Sequence, residues 1–256
     1  MLIIPISDDN SDRTTTPYVN YLIILVNVIV FVVFQGMGAN NRFTYAYVTV
    51  PQEIVTGKDI VTPDQVLTDP TTGDQVLDPG LQRTPLSVYI TLITAVFMHA
   101  SIAHIAGNML FLWIFGDNIE NTLGHVRYLI FYLVCGLLAS LAYVYSTVFF
   151  GGDPLIPSLG ASGAISGVMG AYLLLFPGRR VTVLLIRFVT QVPAVVAVGI
   201  WFVFQLVAGL GILGSSSSGD GVAYAAHVGG FVSGLLLVKP FAIGRPQSAA
   251  GTWRSR

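Results

Sequence analysis

The sequence predicts an all-α membrane protein built from six transmembrane helices. Its 256 residues are 54% hydrophobic and only 10% charged, whereas soluble domains contain about 25% charged residues. The mean hydropathy is +0.73, and the apolar residues gather into segments close to the roughly 20 residues that a helix needs to cross a bilayer. The net charge of −1 indicates no nucleic-acid partner, so the lipid bilayer is the predicted environment.

Six apolar segments are predicted to be the spans. They cover residues 19–36, 102–119, 126–150, 159–176, 192–213 and 222–238. The fifth span is placed around Pro193, because proline breaks a helix, and this leaves the segment VTVLLIRFVTQ before it at the membrane interface. Residues 86–98 are apolar but too few to cross a bilayer, so we predict an interfacial or re-entrant segment there.

The distribution of lysine and arginine predicts that both termini are cytoplasmic, because cytoplasmic loops collect these residues. The third and fifth connections carry Asp153 and Asp220 and no basic residue. The second and fourth connections and the C-terminal tail contain Arg127, Arg179, Arg180, Arg187, Lys239, Arg245, Arg254 and Arg256. We therefore predict cytoplasmic tails at 1–17 and 242–256, a six-span domain at 18–241 and an extracytoplasmic first connection at 37–86. This arrangement suits a bacterial plasma membrane.

The first connection contains the tetrapeptide DQVL twice, at 64–67 and 74–77, on either side of TDPTTG. Two short runs that flank a turn with proline and glycine are typical of a β-hairpin. A loose polar loop explains the same residues equally well.

Polar side chains at the starts of three spans indicate a candidate site, because such residues are costly in lipid and usually face a bundle interior. His104 and Asn108 lie four residues apart in the second span and share a helix face. Ser162 lies at the start of the fourth span, and His227 lies near the start of the sixth. The predicted topology places all four at one depth, just below the extracytoplasmic surface.

Small residues at intervals of four predict close packing of the fourth and sixth spans. They are Gly163 and Gly167 in the fourth span, and Ala226, Gly230 and Gly234 in the sixth. Close packing would bring Ser162 toward His227, and a nucleophilic serine needs a base within about 3 Å. The alternative is purely structural: the glycines only pack helices, and Ser162 bonds to a backbone carbonyl.

The four polar residues have chemistry suited to acyl transfer. Ser162 is predicted to attack a carbonyl, with His227 as general base and then general acid. No Asp or Glu lies inside a span at this depth, so we predict a dyad in which packing orients His227, and burial favours its neutral form. The oxyanion would meet the backbone amide of Ser162 at a helix N-terminus, with Asn108 and His104 as further donors.

The motifs around these residues resemble those of the rhomboid intramembrane serine proteases. GASG at 160–163 is similar to the family's G-x-S-G around the nucleophile, and AHVGGFVSG at 226–234 to its A-H-x-x-G-x-x-x-G around the catalytic histidine. HASIAHIAGNM at 99–109 is similar to its H-x-x-x-x-H-x-x-x-N, whose second histidine and asparagine line the oxyanion hole. The resemblance covers 17–241 and implies a six-span rhomboid-type bundle that cleaves single-span or other transmembrane proteins near the extracytoplasmic face.

Position 166 departs from the pattern of some family members. Some members carry an aromatic residue four positions after the nucleophile, where it stacks on the histidine, and Ser166 stands there in this chain. The stacking role is therefore empty or filled from elsewhere.

The type and depth of these polar residues also bear on other possible functions. A rhomboid-like protein that binds membrane clients without cutting them is the alternative, but such relatives usually lose the serine or the histidine, and both are present. A transporter or channel predicts polar residues through the whole depth of the bundle, whereas here they cluster in the outer third. The sequence has no H-E-x-x-H zinc motif, and neither a metal nor a cofactor is predicted.

Overall fold

The computed structural model is a helical bundle with two small β-sheets, and it describes residues 3–68, 75–209 and 220–245. In chain order the helices are α1 (Tyr18–Ile29), α2 (Asn41–Tyr47), α3 (Pro51–Thr56), α4 (Thr91–Thr94), α5 (Ile102–Leu123), α6 (His125–Phe149), α7 (Ser162–Leu175), α8 (Ala194–Gly209) and α9 (Asp220–Ala242). The strands are β1 (Ile3–Asp8), β2 (Gln65–Thr68), β3 (Gln75–Asp78), β4 (Arg180–Leu185) and β5 (Phe188–Pro193).

A helix occupies each of the six predicted spans. Among the described residues, two helices are long and apolar enough to cross a membrane, His125–Phe149 and Tyr224–Ala242. A third candidate is the pair Val88–Phe97 and Ile102–Leu123 taken as one bent span. The apolar helices Tyr18–Phe34, Ser162–Leu175 and Ala194–Gly209 are shorter. Six complete crossings therefore stay a prediction, whereas the mostly helical architecture is established.

The segment predicted to be interfacial or re-entrant is helical and sharply bent. Short helical turns run through Val88–Phe97, and an 80° bend separates them from α5. The hydroxyl of Ser101 accepts a hydrogen bond from the backbone N–H of His104 and caps the start of α5. This cap fixes where α5 begins, about two turns before Asn108.

The prediction of an all-α fold is wrong for the N-terminal segment and for the segment between α7 and α8. These form a three-stranded antiparallel sheet in the order β1–β4–β5. The β-branched residues of VTVLL alternate in burial, with Val181 and Val183 buried, and this period of two favours a strand. The segment expected at the membrane interface is therefore a hairpin, and residues 1–17 contain a paired strand rather than only a tail.

The first connection is also folded. Of the two explanations for the DQVL repeat, the hairpin is confirmed: β2 pairs antiparallel with β3, with Gln65 opposite Asp78 and Thr68 opposite Gln75. The turn residues 69–74 lie outside the described part of the chain. Residues near the start of this connection reach the site, since Thr49 forms an antiparallel bridge with Ser158.

Helix α7 lies at the centre of the bundle and packs against α9 with almost no side chain between the two backbones. A Cβ atom at Gly230 would collide with the carbonyl oxygen of Gly163, and one at Gly234 would collide with that of Gly167. Only glycine permits this approach, as small-residue motifs do in membrane bundles. The predicted close packing of these two helices is thus present.

Polar contacts around Asp8 hold β1 against the end of the bundle that lies opposite Ser162. The hydroxyl of Tyr172 on α7 donates to the Asp8 carboxylate at 2.6 Å, and the amide of Asn118 on α5 donates to it at 2.8 Å. Burial raises the pKa of Asp8 from 3.8 to about 7, and the hydrogen bond from Tyr172 lowers it by less. Asp8 therefore changes its charge near neutral pH in the folded protein.

Close packing of α7 and α9 predicts that Gly234→Ala destabilises the protein, by about 1–3 kcal/mol, because the added methyl group meets backbone. Thermal unfolding in detergent measures the effect. Gly199→Ala on α8 is the matched control, since nothing lies within 4 Å of a Cβ atom there, and it should unfold at or above the wild-type temperature. Equal midpoints for the two variants would contradict the close approach.

The contacts of Asp8 predict that stability falls as pH rises from about 4 to about 7. In this range the unfolded chain has lost the Asp8 proton and the folded chain keeps it, so raising the pH favours unfolding. Asp8→Asn keeps an oxygen acceptor and cannot ionise, so it should flatten this part of the curve. The measurement is thermal unfolding between pH 4 and 8, with the exposed Asp9→Asn as control. Parallel curves for wild type and Asp8→Asn would refute the assignment.

Candidate active site

Ser162 is presented at the first turn of α7 by a loop that is held on two sides. Gly160 has φ +118°, a conformation that only glycine adopts readily, and its N–H donates to the carbonyl of Ala95 at 2.8 Å. Ser158, just before it, pairs with Thr49. Because Ser162 is the first residue of α7, its backbone N–H has no partner within the helix.

The structure brings Ser162 and His227 together. The Oγ atom of Ser162 lies 2.8 Å from Nε2 of His227, which is hydrogen-bonding distance. The two residues come from α7 and α9, the helices whose glycines allow the closest approach. A serine hydroxyl bonded to an imidazole nitrogen is the arrangement that nucleophilic catalysis requires.

Gln205 on α8 also lies at the site, although the sequence did not predict it. Its amide oxygen lies 2.7 Å from Nδ1 of His227, so His227 is oriented by a hydrogen bond and not by packing alone. Within the described residues, no Asp or Glu side chain bonds to His227. The available signal was a single amide in the otherwise apolar stretch WFVFQLVAG at 201–209, since an uncharged polar residue within a span usually has a partner.

An aromatic ring also flanks His227, although not from position 166. The ring of Trp201 on α8 lies 6.0 Å from that of His227, at 42°, and Tyr224 lies 6.4 Å away, edge to face. Ser166 is buried and donates to the carbonyl of Ser162 at 2.6 Å. Position 166 thus contributes no ring, and the aromatic neighbours of His227 come from α8 and α9 instead.

His104 and Asn108 lie beside the loop that carries Ser162. A Cβ atom at Gly160 would come within 2.9 Å of Nε2 of His104 and within 3.8 Å of Nδ2 of Asn108. Nδ1 of His104 accepts from the N–H of Ala100 at 3.4 Å, which leaves Nε2 as the ring donor. Asn108 Nδ2 is buried and has no hydrogen-bond partner among the described residues. Two side-chain donors are therefore available beside Gly160, in the loop that leads to Ser162.

A cavity of about 30 Å³ lies beside the serine and histidine. It is lined by Gly160, Ser162, Ala164 and His227, among others, and it has room for a water molecule. In the part of the chain that the structure describes, no group of three His, Cys, Asp or Glu residues is placed to hold a metal ion. The reactive groups that this site presents are a hydroxyl and an imidazole.

Comparison with known families shows which family the chain belongs to. The family model described as Rhomboid domain matches residues 87–242, which is more than half of the chain. The chain belongs to the rhomboid family. Because a rhomboid domain is a helical membrane fold, this rhomboid is an integral membrane protein.

Three relatives illustrate the range of the family. The chain is 31% identical over 156 residues to Rhomboid protein 1, mitochondrial, of Saccharomyces cerevisiae, covering 61% of this chain and 43% of that protein. It is 31% identical over 160 residues to Rhomboid protease GluP of Bacillus subtilis, covering 62% and 27%. It is 30% identical over 175 residues to human Presenilin-associated rhomboid-like protein, mitochondrial, covering 62% and 42%. The chain thus spans less than half the length of these relatives.

The prediction of a bacterial plasma membrane is not supported. Relatives named as mitochondrial stand beside the bacterial one at similar identity. The physical reason is that hydropathy and charge bias report spans and their orientation, and these requirements are common to both kinds of membrane.

The unpartnered amide of Asn108 predicts that Asn108→Ala slows the reaction of Ser162 with a fluorophosphonate by about 100-fold, because one donor to the developing negative charge is lost. The rate of labelling measures this directly. Asn121→Ala is the matched control on the same helix, since Asn121 bonds among the described residues to Thr14 and Thr15, away from Ser162. This variant should react at the wild-type rate. A rate for Asn108→Ala within twofold of wild type would remove Asn108 from the oxyanion site.

Proposed function

We propose that this rhomboid is a serine endopeptidase that cuts transmembrane segments of other membrane proteins near their extracytoplasmic ends. The observation that carries the proposal is the 2.8 Å contact between Ser162 Oγ and His227 Nε2. The donors of His104 and Asn108 beside the same serine support it. So does the similarity to Rhomboid protease GluP.

Acylation follows from these contacts. Nε2 of His227 takes the hydroxyl proton of Ser162 as Oγ bonds to the carbonyl carbon of the scissile peptide. The carbonyl oxygen becomes negatively charged and is stabilised by the backbone N–H of Ser162 and by the donors of Asn108 and His104. His227 then gives its proton to the peptide nitrogen, the C–N bond breaks, and the amine product leaves an acyl-serine.

Deacylation needs a water molecule in a membrane-embedded site. The cavity of about 30 Å³ next to Ser162 and His227 has room for one. His227 would take a proton from this water as its oxygen attacks the ester carbonyl, and would return the proton to Oγ of Ser162. The acid product is released, and the serine hydroxyl is restored.

The substrate class follows from the location of the site and from helix chemistry. A transmembrane helix hides its peptide carbonyls in its own hydrogen bonds, so a cleavable segment must unwind locally. Glycine, proline or small polar residues near one end of the substrate helix favour this. With both tails cytoplasmic and residues 37–86 extracytoplasmic, the site lies near the extracytoplasmic end.

The test is proteolysis in liposomes by the full-length chain. The substrate is a single-span protein with a Gly-Pro pair near its extracytoplasmic end. Ser162→Ala and His227→Ala should each lower the cleavage rate on the order of 10⁴-fold or more, because nucleophile and base act as a unit. Ser146→Ala on α6 is the matched serine control, since within the described part of the chain the Ser146 hydroxyl donates to the Tyr143 carbonyl of its own helix. This variant should cut at the wild-type rate.

Two results would contradict the proposal. If wild type cuts none of several such substrates and Ser162 does not react with a fluorophosphonate, the dyad is not functional. Pull-down of intact membrane proteins by the same chain would then favour client binding without cleavage. If Ser162→Ala still cuts, a different residue is the nucleophile.

A further inference from the structure

Gln205 occupies a position that a catalytic carboxylate takes in soluble serine hydrolases. Its amide oxygen lies 2.7 Å from Nδ1 of His227, and Nε2 of the same ring lies 2.8 Å from Ser162 Oγ. The three side chains thus form a continuous chain of hydrogen bonds across α8, α9 and α7. Gln205 is 6% exposed, so water does not readily replace it as the partner of His227.

The partner of Nδ1 decides which nitrogen of a neutral imidazole carries the proton. An amide oxygen can only accept, so it requires a proton on Nδ1. Nε2 is then unprotonated and faces the serine hydroxyl as an acceptor. With the opposite tautomer, Nε2 would carry the proton and could not accept one from Ser162. In soluble serine proteases the wrong tautomer lowers kcat by about 10⁴-fold.

We propose that Gln205 is a positioning residue that holds His227 in the Nδ1-protonated tautomer and so keeps Nε2 available to Ser162. This inference rests on the proposed protease function and adds a third member to the dyad. Gln205 touches neither the substrate nor the reacting atoms, and it acts only through His227.

An amide suits this place better than a carboxylate because the surroundings are apolar. Helix α8 has the sequence AVVAVGIWFVFQLVAG, with Gln205 as its only polar side chain. An ionised carboxylate between two helices would carry a large desolvation cost, whereas a neutral amide needs only its hydrogen bond. The amide dipole also accepts from Nδ1–H when the ring becomes an imidazolium, so it remains a partner throughout the reaction.

The packing of α8 against α9 positions the Gln205 amide beside His227. Phe202 stacks on Phe231 of α9 with ring centroids 4.0 Å apart, and Trp201 flanks His227. Gln205 lies three and four residues after these rings and therefore on the same helix face. One face of α8 thus supplies both the packing contact and the acceptor, and His227 holds this tautomer only while α8 is docked.

The first experiment compares Gln205→Met and Gln205→Glu with wild type, using the full-length chain in liposomes. Methionine fills the space and lacks a strong acceptor, so kcat should fall about 10- to 100-fold with KM within twofold, as partners that orient a functional histidine typically contribute. Glutamate keeps the oxygen acceptor and should restore kcat to within about tenfold of wild type. Its carboxylate stabilises the imidazolium, so the acid limb of the rate profile should move to higher pH.

The second experiment reads the tautomer without a substrate. In ¹⁵N-histidine NMR spectra, with the His227 signals assigned by their loss in His227→Ala, wild type should show a protonated Nδ1 and an unprotonated Nε2. Gln205→Met should lose this preference. Gln35→Met is the matched control, because Gln35 is a buried glutamine bonded to Thr44 and to the backbone of His99. This variant should lower the stability of the protein and leave the His227 signals unchanged.

The outcomes separate the two proposals. A kcat for Gln205→Met within twofold of wild type, with unchanged His227 signals, would overturn the role of Gln205 and leave the protease proposal intact. An inactive wild type whose His227 signals still respond to Gln205→Met would overturn the protease proposal and support the positioning role. In a third outcome, kcat falls in Gln205→Met, Gln205→Glu does not restore it, and the tautomer of His227 does not change. This result would assign Gln205 a role in packing alone.

Discussion

The contact between the backbones of α7 and α9 is the constraint on which the rest of the site depends. Gly230 and Gly234 face the carbonyl oxygens of Gly163 and Gly167, with no room for even one methyl group. In a bilayer, an apolar side chain gains little by contacting another helix instead of the lipid acyl chains. Close packing of the backbones is therefore a main source of helix association. The serine and histidine sit at one end of this contact, and their 2.8 Å separation follows from it.

Helix α7 is anchored at both ends by polar groups. At its start, the loop before Ser162 is tied by Gly160 to the carbonyl of Ala95, and Ser158 pairs with Thr49. Toward its other end, Tyr172 donates to Asp8 of β1. A nucleophile at the first turn of a helix keeps its position only if the helix cannot slide. These two sets of contacts, one near each predicted membrane surface, prevent sliding in either direction.

Neutral side chains form the candidate site at the start of α7, and a cluster of charged groups lies at the opposite end of the bundle. Glu120 is fully buried and accepts from the backbone N–H groups of Val19 and Asn20, so it caps the start of α1. Arg13 and Asp117 pair at 2.7 Å in the same region. Around Ser162, by contrast, the partners are an imidazole, amides and a hydroxyl. This division follows the cost of charge in an apolar medium, which is largest where compensation by water is least available.

The sequence by itself determined the helical class, the approximate ends of the long helices, and four of the residues at the site: Ser162, His227, His104 and Asn108. The length of apolar segments, small residues at intervals of four and polar residues at helix starts are local signals, and each has a direct physical cause. The sequence also carried the alternation that favours strand β4, although the apolar context concealed it. Only the tertiary structure decided that β1 joins this hairpin and that Gln205 meets His227. Both are contacts between segments far apart in the chain, and their geometry depends on how whole helices dock, which no local pattern records.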